Sequence, residues 1–352
     1  MKSLAVIICI GLTFGCQNLE KSKDQQILIT QNNPNPQLVG SAQSRTSNRI
    51  NVAILIFDGV QIIDYTGPYE VFGGVGYNTY TISNDTSVIT TSHNMKVVPN
   101  YTFLDYPKPD IIVVPGGAVA HNLKKEDPRI DWLLKNNEPT TQFLGVCNGV
   151  FILASAGMLD NREATTVATM IDHLKHSAPK AIPIYDKRVT DSDNIITCGG
   201  FMASIDGALH VIRKNSGVAR TQLIANNLEY NWDSEGKYVR YKLPDILIPL
   251  YLDVNPPLRR EKIESYFGDE DNWTATYIIN HESSIKEISE QLNNVAKMYD
   301  WQKKDEELTQ EQFKANYIIK DELDRVWSFE STIKTTDEIN KKFVAIKINK
   351  IT

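Results

Sequence analysis

The sequence predicts an α/β protein: a three-layer sandwich with helices on both faces of a mostly parallel sheet, followed by a smaller C-terminal α+β appendage. Three observations carry this. Apolar runs such as Asn51–Phe57 and Asp110–Val114 are near-continuous, as expected of strands covered on both faces. Between Ile50 and Tyr230 such runs alternate with segments of helical character. From about Asn231 that alternation stops, and Lys, Glu, Asp and Asn become frequent.

Taken in order, Asn51–Phe57 is the first strand, and a helix is expected to begin at Pro68 after Thr66-Gly67, since proline is tolerated in a first turn. Tyr77–Ser83 and Ser87–Thr91 read as short strands. Asp110–Val114 is a buried strand that stops at Pro115-Gly116-Gly117. Helices are expected over 118–122 and Pro128–Lys135, then a buried strand over Thr141–Val146 that ends at Cys147. Ala164–Val167 reads as a brief strand and Thr169–His176 as a helix. Arg188–Thr190 and Asn194–Thr197 form a hairpin around Asp191–Asp193. Ala203–Arg213 and Val218–Glu229 close this region as helices. In the appendage, Ser284-Ile-Lys-Glu287 is a capping box ahead of Ile285, Ile288, Leu292 and Val295 at helical spacing. Val326–Phe329 and Lys342–Ile348 alternate like two strands of a hairpin.

The chain has 352 residues, a formal net charge of −6 and 41% hydrophobic residues, which suits one or two globular domains. Mild acidity without a basic stripe or zinc spacing argues against a nucleic-acid partner. Lys2 followed by the apolar run Leu4–Phe14 reads as an export signal, too short to span a bilayer. The Gln-, Asn-, Ser- and Pro-rich stretch up to Asn48 reads as a flexible tether. The expected division is a signal over 1–15, a tether over 16–48, an α/β domain over 49–232 and an extension of unassigned role over 233–352.

Chemistry concentrates at Cys147. A buried strand, a cysteine, a glycine two residues on and an apolar helical segment are the sequence form of a nucleophile elbow. The N–H groups and dipole of the following helix are expected to lower the thiol pKa. Of the 4 cysteines, Cys9 falls in the signal, and Cys198 reads as a small buried residue at a strand end. Gly116 and Gly117 let the backbone approach a ligand closely and offer N–H groups to developing negative charge; the other reading is a plain turn. Asn148 cannot act as a general base but can donate or accept a hydrogen bond. Asp64, read from its surroundings alone, caps the following helix or stabilises its turn. A carboxylate beside a thiol would instead hold or shuttle a proton if burial raised its pKa. His173 and His176 share one short helix with no clear further ligands, and His121 is a marginal candidate near the Pro-Gly-Gly turn. Neither a metal nor a cofactor is expected.

Several separated motifs carry a resemblance. They are Phe57–Val71 (with Asp64-Tyr-Thr-Gly-Pro68), Val114-Pro-Gly-Gly117, Val146-Cys-Asn-Gly149, Ala156–Asp160, Arg162–Thr166 and Ala203–Leu209. Together they resemble the DJ-1/PfpI superfamily over about Asn51 to Asp233, and within it isonitrile hydratase-type proteins. The resemblance implies a flavodoxin-like sheet, a catalytic Cys147 with Asp64 beside it, and Gly116, Gly117 and Asn148 as oxyanion or substrate-binding positions. It also implies cofactor-independent thiolate addition to a small electrophile, with homodimerisation as a common trait. Glyoxalase-like attack on a 2-oxoaldehyde and a non-catalytic binding or redox-sensing module are the other expectations. Asn148 stands where PfpI-type peptidases carry histidine and isonitrile hydratases usually carry threonine. Val167 and Phe201-Met-Ala203 depart from relatives at the pocket wall. Gly15-Cys16 resembles a lipoprotein lipobox, with Thr13 where leucine is usual. This implies lipidation at Cys16, export, and a membrane anchor at the cell envelope.

Overall fold

The structure is a computed structural model that describes residues 49–119, 123–236, 259–269, 271–321 and 323–351. The export signal, the tether, Cys16 and His121 lie outside the described residues.

The first core is built on a 7-stranded sheet. Its strands are β1 (Asn51–Leu55), β2 (Asn78–Ser83), β5 (Tyr101–Thr102), β6 (Ile111–Val114), β7 (Gln142–Val146), β10 (Val189–Ser192) and β11 (Ile195–Cys198). The order is β10-β11-β7-β6-β1-β2-β5, and only β10 runs antiparallel, paired with β11. Val52–Leu55, Ile111–Val114 and Phe143–Val146 are buried throughout, which explains why these strands read as continuous apolar runs. The helices α1 (Ile62–Val75), α5 (Ala203–Ser216) and α6 (Val218–Asn227) pack together. A second group is formed by α2 (Pro128–Lys135), α3 (Val150–Ser155) and α4 (Ile171–Ser177). The expected three-layer α/β sandwich is therefore present. Taken alone, β2-β1-β6-β7-β11 is the flavodoxin-like order, and it reverses direction between β1 and β6. Ligands in such sheets lie beyond the carboxyl ends of the strands at that reversal.

The structure departs from the sequence-based expectations in several places. The first helix begins at Ile62 rather than Pro68, so Pro68 lies inside α1 and Asp64 in its first turn. Strand β3 (Ile89–Thr90) is only half of a small hairpin with β4 (Lys96–Val97). The strand expected over Ala164–Val167 shrinks to β8 (Glu163–Ala164), which pairs with β9 (Ile182–Pro183) apart from the main sheet. The helix expected over 118–122 falls partly outside the described residues, and Ala118 and Val119 are not helical.

The appendage is a 6-stranded antiparallel sheet with one helix. Its strands are β12 (Arg259–Gly268), β13 (Asn272–Asn280), β14 (Gln302–Leu308), β15 (Gln312–Lys320), β16 (Val326–Thr335) and β17 (Lys341–Lys350), in the order β12-β13-β17-β16-β15-β14. Helix α7 (Ile285–Met298) opens on the expected Ser284–Glu287 capping box. Its buried Ile285, Ile288, Leu292 and Ala296 join Tyr277, Phe313, Tyr317, Trp327 and Phe329 in a second, separate core. The expected hairpin is the pair β16–β17.

Candidate active site

Strand β7 delivers Cys147 into a three-residue 3₁₀ turn, Cys147–Gly149, ahead of α3. Cys147 has φ +55°, a left-handed conformation that side chains rarely adopt and that marks a strained elbow. Two contacts hold it there. Thr166 Oγ1 donates to the Cys147 carbonyl at 2.6 Å, and Cys147 N–H donates to the Gly199 carbonyl at 3.4 Å. Gly149 is required by packing, since a Cβ there would meet the Val114 and Pro115 carbonyl oxygens.

The loops after β1 and β6 interlock beside this elbow, at the sheet reversal. Gln61 N–H donates to the Gly116 carbonyl at 2.9 Å and Ala118 N–H to the Gly59 carbonyl at 2.9 Å. This brings Asp64, on the first turn of α1, against the cysteine. A Cβ on Gly116 would lie 2.8 Å from Asp64 Oδ2 and 2.7 Å from Cys147 Cβ, so only glycine fits between them. Asp64 caps no helix; its Oδ1 accepts the Phe201 N–H at 2.7 Å. Its buried Oδ2 faces Gly116, where the Cys147 thiol and the Gly116 N–H are the polar groups that reach the carboxylate.

The electrostatics of the pair reverse one expectation. Asp64 is fully buried, and desolvation raises its pKa to about 6 despite the opposing hydrogen bonds from Phe201, Cys147 and Gly116. The Cys147 thiol is pushed well up rather than down: burial and the neighbouring Asp64 charge outweigh the Asn148 N–H that favours the thiolate. Burial thus favours the uncharged form of both groups, and a charge on either opposes ionisation of the other.

The oxyanion candidates separate. Asn148 uses its side chain as a clamp: Oδ1 accepts the Gly117 N–H at 2.7 Å, and Nδ2 donates to the Gly117 carbonyl at 2.8 Å. Gly117 N–H is thereby engaged and is not a donor to substrate, contrary to the sequence reading. Gly116 N–H addresses Asp64, and the Asn148 backbone N–H addresses the sulfur. Asn148→Ala removes both bonds to Gly117 and is expected to cost about 1–3 kcal/mol of stability, with partial recovery in Asn148→Thr, read from urea unfolding midpoints.

A pocket of about 600 Å³ opens over the thiol. Ala118, Val167, Met170 and Phe201 form its apolar wall, while Gln61, Thr90, Thr91 and Ser92 supply neutral polar groups. The β3–β4 hairpin is fixed there by Gly59 N–H to the Thr90 carbonyl (2.7 Å) and Ser92 N–H to the Val60 carbonyl (2.9 Å). Among the described lining residues none is charged. Sequence reasoning missed the Thr90–Ser92 hairpin, Met170 and the Phe201 N–H. Glycine at 199 and 200 after a buried strand was the available signal for the last. Gly200 abuts the sulfur, where a Cβ would lie 2.7 Å from Cys147 Sγ. Cys198 is fully buried one strand away, and its thiol is pushed well up. His176 Nδ1 lies 2.7 Å from the Asp172 carbonyl of its own helix.

A strained cysteine elbow at the reversal of a flavodoxin-like sheet, with a buried carboxylate against the thiol, defines an α/β protein of the cysteine-elbow class. The chain belongs to the DJ-1/PfpI family, whose model matches residues 50–214. It is 34% identical to an isonitrile hydratase from Pseudomonas putida, over 51% of this chain and 78% of that protein. It is 27% identical to a deglycase from Thermococcus kodakarensis, over 38% of this chain and 81% of that one. The crystal structure of a THiJ/PfpI family protein from Pseudomonas syringae covers 55% of this chain and 83% of its own, at 23% identity and a TM-score of 0.49.

Proposed function

We propose that this protein is a cofactor-independent enzyme that hydrates a small uncharged electrophile, an isonitrile in the first instance, through Cys147. The observation that carries this reading is the buried Asp64–Cys147 pair at the base of a pocket with no described charged lining. A high thiol pKa does not oppose it, because an adjacent base can take the proton as the sulfur attacks. Ionised Asp64 accepts the Cys147 proton while Sγ bonds to the isonitrile carbon, and the protonated carboxyl returns that proton to the same carbon. The product is a thioformimidate, Cys147–S–CH=N–R. Water then adds to this carbon, one of its protons passing to nitrogen with Asp64 as relay. The C–S bond breaks, releasing the N-substituted formamide and restoring the thiol. The 34% identity to an isonitrile hydratase supports this choice of substrate. The export and lipid anchor expected from the N-terminal sequence would place the reaction at the cell envelope.

The test is ¹³C NMR of a labelled alkyl isonitrile with the purified protein. Formamide should accumulate with the wild type and fall to the buffer rate with Cys147→Ala. Absence of formamide with a protein whose Cys147 still alkylates would overturn the isonitrile assignment. Addition to a 2-oxoaldehyde is the second reading, favoured by the deglycase among the relatives. It would show as loss of the aldehyde resonance in the same experiment run with methylglyoxal.

A further inference from the structure

Beyond the reacting pair, one buried polar cluster lies behind the turn that forms a wall of the site. The turn Gly199–Met202 joins β11 to α5 and does two things for the pair. Gly200 packs against the sulfur, and Phe201, held at φ +55°, presents its N–H to Asp64 Oδ1 at 2.7 Å. A strained turn keeps such a geometry only when its ends are fixed. Arg188, just before β10, fixes both. Its carbonyl accepts the Gly199 N–H at 3.1 Å, and its guanidinium forms a largely buried ion pair with Asp206 on the first turn of α5. Tyr230 completes the cluster, its hydroxyl placed 3.0 Å from both Asp206 oxygens. A further tie runs from the start of α5 to α1, where Ser204 Oγ donates to the Ile63 carbonyl at 3.1 Å, next to Asp64. Tyr230 lies beyond the stretch matched by the family model, so a residue of the following segment takes part.

We propose that Arg188, Asp206 and Tyr230 are positioning residues for the Cys147–Asp64 pair, clamping both ends of the Gly199–Met202 turn so that Phe201 N–H stays on Asp64; this rests on the function proposed above. Loosening the clamp withdraws a donor that favours the Asp64 carboxylate. The pH at which Asp64 becomes a base for Cys147 then rises. The charged and titratable groups facing Asp64 among the described residues are Cys147 and, more distantly, Cys198, which the Asp206 and Arg188 charges also reach, so the charge-neutral Tyr230→Phe isolates the route through Phe201.

The experiment measures carbamidomethylation of Cys147 by peptide mass spectrometry from pH 4.5 to 9, in the full chain and in Asp206→Asn and Tyr230→Phe. Iodoacetamide is the probe. The midpoint of the rate increase should move up by roughly half a pH unit or more in Asp206→Asn, and by less in Tyr230→Phe. Arg188→Lys should stay closer to the wild type than Arg188→Ala. Unchanged midpoints with lowered melting temperatures would overturn the proposal, because a purely structural cluster moves stability alone. Should Asp206→Asn fail to fold, Tyr230→Phe decides, since it removes a single hydroxyl. A wild type with no rise near pH 6 would sink the acid–thiol reading itself. A rise that the variants leave in place sinks only the clamp.

Discussion

Asp64→Asn is expected to lower turnover by about 10²–10⁴-fold, the usual contribution of a positioned acid–base group, while making the folded protein more stable at neutral pH. Both effects have one cause. Asp64 titrates near pH 6 in the folded protein against 3.8 as a model carboxyl, so the fold favours the protonated form. For a group whose pKa is raised on folding, the stability contribution is full below the unfolded value and is lost as pH rises through the folded one. The window here is about pH 4 to 6, and above it the wild type carries the cost of a buried carboxylate. At about 1.4 kcal/mol per unit, that cost is at most about 3 kcal/mol. Asparagine does not ionise and escapes it. Urea unfolding should therefore show Asp64→Asn more stable than the wild type at pH 8 by up to about that amount, with the difference closing near pH 4. Equal stabilities across this range would mean that Asp64 is not desolvated as described.

Gly200→Ala is expected to silence Cys147 without unfolding the protein. A Cβ at this position would lie 2.7 Å from Cys147 Sγ and 2.9 Å from its Cβ, closer than real Cβ atoms come. Either the sulfur or the turn that holds Phe201 on Asp64 must shift, and a displacement near 1 Å costs about 100-fold in a positioned reaction. The alkylation rate at pH 7.5 should fall by at least about that factor while far-UV circular dichroism stays unchanged. Gly73 offers a control, since it is an exposed position within α1 where a Cβ meets nothing within 4 Å. Gly73→Ala should alkylate at the wild-type rate.

The features of this protein legible in its sequence are those fixed locally. The Cys147 elbow is one, because a buried strand, a cysteine and a glycine that only backbone proximity tolerates are contiguous. The parallel core is another, its strands being buried on both faces. Asp64 was legible only through resemblance, since its burial against Cys147 depends on the meeting of loops far apart in sequence. The upward push on the Cys147 thiol is hidden for the same reason: the start of α3 is local in sequence, but the burial and the Asp64 charge that raise the thiol are tertiary. The engagement of Gly117 by Asn148 was hidden likewise, across 31 residues of sequence. In the appendage, Ala275, Tyr277 and Ile279, then Phe313, Ala315, Tyr317 and Ile319, alternate as strands should. That period-two signal was available for β13 and β15. Strand β14 carried none, because all seven of its residues are exposed.

In the proposed reaction the Cys147 proton passes to Asp64 as the sulfur attacks. The most direct measurement is the pH dependence of Cys147 alkylation by iodoacetamide, in the wild type beside Asp64→Asn. The rate should rise through a midpoint near the Asp64 value of about 6 and then level off, and the variant should lose that step. A wild-type rate that climbs tenfold per pH unit to pH 9 without levelling, unchanged by Asp64→Asn, would instead make Cys147 a buried thiol with no base.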